Sequence, residues 1–305
     1  MAARYVKKNW AKILYLAFIF GGFLFTAYTT YHDYFIRWAS ISEIYTSYDA
    51  GVTEIGQYIG ALPAEEMVYL SPTWGEHASL LLQSNQRDGI RAYNGRHCFV
   101  YPQQTETTTT YVIVPNDDKI SLLLLPNYFP QGQVAYEGVL GNGEHYFTAY
   151  QIADDSSAQF SPQIPLEANW DDKIKLLGYD LEKQVYASGE NISLTLYYQP
   201  LIDMKNNYTG FIHLWGEADP QSGNIIYGQR DREPCFQSYP TSFWQAGEVI
   251  RDTFTIPITP EAEPGIYQLV TGFYKWPELT QLPLLETTAT ASRNAVFLSE
   301  LQIAE

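Results

Sequence analysis

The residue types in this chain that could do chemistry are five histidines, three adjacent pairs of aspartates, two cysteines and an unusual number of aromatic rings. His32, His77, His97, His145 and His213 show no HExxH or comparable spacing, so no metal site and no cofactor are expected. His213 lies among apolar neighbours in GFIHLWG and is expected to be a hydrogen-bonded, half-buried side chain. Asp117-Asp118, Asp154-Asp155 and Asp171-Asp172 sit in turn-like stretches. Adjacent acids cannot face each other across a cleft as glycoside hydrolysis requires, so these are expected to be solvated turns. There is no GxSxG elbow and no P-loop, and no catalytic residue is assigned.

Binding is the better prospect. Trp215, Tyr227, Trp244, Tyr267, Tyr274 and Trp276 cluster in the C-terminal half. Exposed rings there would offer flat apolar faces beside polar groups, which suits a saccharide, whereas buried rings would simply be core. Trp215, Trp244 and Trp276, with Asp231 as a polar neighbour, are the candidate ligand-binding residues. Trp244 is expected to cover one end of the core, and Asp231, Arg232 and Asp252 to form ion pairs at a sheet rim. Asn191-Ile192-Ser193 and Asn207-Tyr208-Thr209 match the glycosylation sequon. Cys98 and Cys235 lack metal-type spacing. A disulfide is allowed outside the cytoplasm, but the two fall in different units and are expected to be separate, half-buried thiols.

The elements that must position these residues begin with a membrane anchor. Residues 13–31, ILYLAFIFGGFLFTAYTTY, carry no charge, and 19 residues of helix cover about 28 Å, close to one bilayer core. Trp10 and Tyr28 lie at the two ends, where amphipathic rings prefer the headgroup zone. A cleaved signal peptide would have a shorter apolar core and a small-residue cleavage site. The first 40 residues hold five basic residues against Asp33, a net +4, which leaves −20 on the rest of a chain of net charge −16. Basic residues beside a span stay in the cytoplasm, so residues 1–12 are expected inside and the acidic body outside. The same acidity argues against a nucleic-acid partner.

Past the anchor, Ile44, Tyr48, Val52, Ile55, Ile59 and Leu62 recur at helical spacing up to Pro63. Strands are expected at 67–70, 90–93, 98–101, 111–114, 120–125, 133–140 and 146–152, with a second helix over 74–84 and a hairpin at Gly141-Asn142-Gly143. Residues 32–155 thus read as a small α/β domain, 156–172 as a linker rich in Asp, Ser and Pro, and 173–305 as a β domain. Seven alternating strands in the last part, clearest in ISLTLYYQ (192–199), predict an immunoglobulin-like antiparallel sandwich. The predicted fold class is α+β behind one transmembrane helix.

Several segments, taken in order, resemble one known arrangement. They are HDYFIRWAS (32–40), YTSYDAGVTEIGQYIGALP (45–63), MVYLSP (67–72), GRHCFVYP (95–102) and TYVIVP (110–115), then LLGYDL (176–181), GFIHLWG (210–216), GQRDREP (228–234), YPTSFWQAGEVIRD (239–252) and PGIYQLVTGFY (264–274). This order is similar to the C-terminal end of bacterial membrane glycosyltransferases that use polyprenyl-phosphate sugars, the protein O-mannosyltransferase and RgtA/B/C/D-like group. The resemblance implies an extracytoplasmic tail behind a last transmembrane helix. It also implies membrane lipid, a glycan or polyprenyl-linked sugar acceptor, and a separate transmembrane half as partners. The family's catalytic aspartates belong to a loop between membrane helices that this chain does not have, so no catalytic position carries over. The expected role is to position glycan or acceptor. The alternative is a non-catalytic envelope interaction module without sugar affinity.

Overall fold

A computed structural model describes residues 2–38, 41, 49–72 and 75–304. Helix α1 (Ala2–Tyr31) runs on into a π-helical turn, His32–Arg37, and the apolar stretch Trp10–Arg37 is long enough to cross a membrane. Ile44, Tyr48 and Trp74 lie outside the described residues.

The α/β unit has a five-stranded sheet in the order β2 (Ile90–Ala92), β1 (Met67–Ser71), β4 (Thr109–Ile113), β6 (His145–Ile152), β5 (Gln133–Val139). β2, β1 and β4 are parallel, and β6 and β5 add an antiparallel edge closed by the expected hairpin. Period-two alternation gives each face its own partner. Val68, Leu70 and Val112 pack on α2 (Ala50–Ala61) and α3 (Ala78–Gln83) through Ile55, Ile59 and Leu80. Tyr69, Tyr111 and Ile113 face the other way, onto α4 (Lys119–Tyr128) and the sandwich. α2 ends without a side-chain cap of its own. Arg87 supplies the cation, with Nη1 donating to Leu62 O at 3.0 Å and Nη2 to Pro63 O at 2.6 Å.

Residues 120–125 are helix, not the expected strand. Asp118 caps α4 by accepting from Ser121 N at 2.9 Å, and its other oxygen accepts from Ser71 Oγ at 2.5 Å. Asp118 is fully buried, so this acid is not in a solvated turn, while Asp154, Asp155 and Asp172 are exposed. Gly95 makes room for that cap: a Cβ there would meet Asp118 Oδ2 at 1.7 Å.

The remaining chain is a two-sheet sandwich, antiparallel but for one short parallel pairing. One sheet runs β16 (Leu284–Thr287), β7 (Ile164–Trp170), β8 (Ile174–Leu181), β10 (Asn191–Pro200), β13 (Glu248–Pro257), β3 (Cys98–Pro102). The other runs β12 (Ile226–Arg232), β11 (Thr209–Trp215), β14 (Gly265–Lys275), β18 (Ala295–Ala304), β17 (Ala291–Ser292). Off that path, β15 (Thr280–Gln281) pairs β14 and β9 (Val185–Ala187) pairs β18. Ile192, Leu194, Leu196 and Tyr198 share the inner face, where Phe273 of β14 meets the rings of Trp170 and Tyr198 at 5.4 and 5.1 Å.

Two differences from the sequence-based division matter for the site. The stretch 156–172, expected as a linker, contains β7, which pairs with β8 across a hairpin turn at Asp171-Asp172. And β3, from inside the α/β stretch, is the edge strand of the sandwich, pairing with β13 in the register Cys98↔Asp252. Phe99 and Tyr101 of β3 are buried in one core that runs through both units. Tyr111 of the α/β sheet stacks on Tyr69 at 4.7 Å and donates its hydroxyl to Val100 O at 3.0 Å. A strand pairs through backbone groups, so nothing in its side-chain alternation names the sheet it joins.

Candidate functional site

The candidate ligand residues separate into three places. Trp215 and Asp231 lie on the same outer face of the sheet containing β11 and β12, but four residues apart along it and without contact. There His213 Nε2 meets Asp231 Oδ1 at 2.9 Å, Tyr274 donates to Asp231 Oδ2 at 3.2 Å, and Trp215 packs edge-on to Phe297. His213 is therefore the hydrogen-bonded, half-buried side chain expected. Trp276 stands alone, 67% exposed, just beyond β14. Trp244 is fully buried at one end of the sandwich, as expected, with its indole N–H donated to Tyr239 O at 3.1 Å. Tyr267 is also buried, whereas Tyr227 and Tyr274 are half-buried.

Behind Trp244 lies a cleft of about 800 Å³ between the two units. One wall is the β2 edge of the α/β sheet: Gly75 and Glu76 after β1, then Arg87 to Asn94, which run from before β2 to just past it. The facing wall is the β12–β13 connection, residues 233–247. It projects Phe236 and Phe243, each 52% exposed, beside Gln237, Ser238 and Ser242. A second groove of about 390 Å³, near Asn224 and Pro257, is lined without any charged side chain.

Three devices hold the connection in place. The first is a disulfide between Cys98 and Cys235, which corrects the expectation of two separate thiols. Cys98 belongs to the strand that joined the sandwich, so residues 137 positions apart become neighbours. The second is a bidentate pair, Arg232 Nη1 to Asp252 Oδ2 at 3.0 Å and Nη2 to Oδ1 at 2.8 Å, with the guanidinium between the rings of Phe254 and Phe236. This pair is buried, not at the rim, and Asp231 belongs to His213 instead. Burial pushes the Asp252 carboxyl upward, against the pull of Arg232. Cys235 N–H also donates to Asp252, at 3.1 Å.

The third device is Glu248, buried at the start of β13. Its carboxylate accepts from Tyr69 OH, Tyr239 OH and Gln245 N, each at 3.0 Å, and pairs with Arg91. Arg91 Nη1 also donates to Tyr69 OH at 3.0 Å, and Nη2 reaches the Gln245 side chain. Burial pushes Glu248 above the usual carboxylate range, and the Arg91 guanidinium opposes that shift. Tyr69 and Arg91 come from the α/β sheet, Tyr239, Gln245 and Glu248 from the sandwich. The network is a polar rivet between the units at the floor of the cleft. So held, Cys235, Phe236 and Gln237 keep left-handed φ values of 55, 51 and 68°. Non-glycine residues adopt such values at a cost and cluster at functional sites when they do.

Sequence reasoning missed Arg91, Glu248, Phe236 and Phe243. One signal was present. In EVIRDTFTIP, Glu248 and Asp252 share the period-two phase of Ile250, Phe254 and Ile256, so two carboxylates point where the apolar set points. An acid in a core phase requires a buried cation, and the chain supplies Arg91 and Arg232. The exposed phenylalanines carried no such signal.

Among the described residues, no group of three or more His, Cys, Asp or Glu is arranged to hold a metal ion. The cleft brings together exposed rings, amides, hydroxyls and acids. Neither a family model nor a curated protein matches this chain.

Proposed function

We propose that this chain is the membrane-anchored, extracytoplasmic C-terminal region of a lipid-linked-sugar glycosyltransferase, and that it positions glycan or acceptor without carrying out the transfer. One observation carries the positioning role: a cleft with two half-exposed phenylalanine rings beside convergent amides and hydroxyls, on a connection clamped by a disulfide and two buried ion pairs. Preorganised apolar faces beside a few polar groups suit a saccharide, whose rings present apolar faces edged with hydroxyls. The ordered resemblance of the segments quoted above supports the family. The basic flank and the disulfide support the location, because disulfides persist in oxidising compartments.

Two measurements test this. Alkaline phosphatase fused after Glu305 in bacterial cells should be active, and activity only from a cytosolic reporter at that position would reject the orientation. On a glycan array, the full chain in detergent should retain at least one saccharide class, and Phe243→Ala should lose most of that signal. An array with no signal for any glycan would remove the positioning role.

One observation favours the alternative of an envelope interaction module. β5 is an edge strand, hydrogen-bonded on one side to β6, and its Val134, Tyr136 and Val139 are exposed. An open apolar edge is the template for strand addition by a partner protein.

A further inference from the structure

We infer that the cleft takes an uncharged saccharide and excludes phosphate-bearing ligands, so that the region holds a neutral glycan rather than the phosphate end of a lipid-linked sugar. This rests on the proposed positioning role and narrows it.

Among the described residues, Arg87 and Arg91 are the arginines that line the cleft. Arg87 has both Nη atoms turned to backbone carbonyls at the end of α2, donating to Leu62 O, Pro63 O and Glu66 O. Leu62 O lies at the negative end of α2, which offsets the charge locally, and Pro63 O and Glu66 O belong to the turn that leads into β1. Arg91 is paired with the buried Glu248, and its Nη atoms donate to Glu248, Tyr69 and Gln245. A phosphate would need a guanidinium fork free to grip it, and both forks here are committed to protein acceptors. Burial and the nearby Arg232 lower the His97 pKa, which disfavours its cationic form.

The acids are disposed the other way. Glu76, Asp88 and Asp203 line the cleft and are exposed. Counting Glu248, the described lining and floor carry four carboxylates against two arginines. The chain itself is strongly acidic. A phosphate would therefore enter a field of its own sign, while a hydroxyl-rich neutral molecule finds acceptors in the carboxylates, donors in the amides, and flat apolar faces in Phe236 and Phe243.

The test uses the full chain in detergent and titrates neutral disaccharides (maltose, cellobiose, N,N′-diacetylchitobiose, mannobiose), observing ligand signals by saturation-transfer NMR. Mannose 1-phosphate and glucose 1-phosphate are titrated in parallel, against mannose and glucose. At least one neutral sugar should bind, with Phe243→Ala weakening it about tenfold. The phosphorylated sugars should bind at least tenfold more weakly than their parents, and Asp88→Asn with Asp203→Asn should narrow that gap. Sugar phosphates binding as well as or better than the neutral sugars would overturn the inference while leaving the positioning role standing. No binding by any sugar of either kind would overturn both.

Discussion

Replacing Cys98 by serine should lower the melting temperature of the full chain by roughly 10 °C, and wild-type protein in dithiothreitol should match it. The bond closes a loop spanning 137 residues. Constraint of the unfolded chain by so long a loop corresponds to about 3–5 kcal/mol. For a body of this size each kcal/mol shifts the midpoint by about 2–4 °C. The bond also joins the edge strand β3 to the β12–β13 connection, at the point where three successive residues hold left-handed backbone. Its loss should therefore relax Phe236 away from the cleft and reduce saccharide retention as well as stability. Circular dichroism melts of wild type, Cys98→Ser and Cys235→Ser, with and without reductant, decide the matter. Midpoints within 2 °C of each other would show that the connection is held without the bond.

Arg91→Met should cost about 3–5 kcal/mol at neutral pH, because it leaves Glu248 buried with no cation. The deficit has a pH signature whose sign follows from linkage. Burial raises the folded-state pKa of Glu248 above its ordinary value near 4.5. A raised carboxyl contributes stability that is complete below the unfolded value and is lost as pH rises through the folded one. In wild type the Arg91 guanidinium opposes the rise. Without it the folded value climbs further, so the variant's deficit should be small near pH 5 and largest near pH 8. Chemical denaturation at the two pH values measures it, and equal deficits would show that Glu248 is not the group responsible. Adding Glu248→Gln should return much of the loss at pH 8, since it removes the charge that Arg91 had balanced while keeping an acceptor for Tyr69 and Tyr239.

Patterns local in the chain were legible in the sequence. The apolar run before residue 32 gave the helix long enough to cross a membrane, and period-two alternation gave β8, β10, β13 and β14 nearly to the residue. Trp244 as a core cover and His213 as a satisfied half-buried histidine also followed from their neighbours. The leucine run at 120–125 was misread because its cap, Asp118, works only once Ser71 and Gly95 are folded beside it. What only the tertiary structure decided was partnership. Which sheet β3 joins, whether Cys98 meets Cys235, and which arginine balances Glu248 or Asp252 all depend on contacts between residues far apart in sequence. Alternation tells a side chain which way to point but not what it will find there. The cleft is made entirely of such meetings, so the chain's own order of residues contained its parts and not its place.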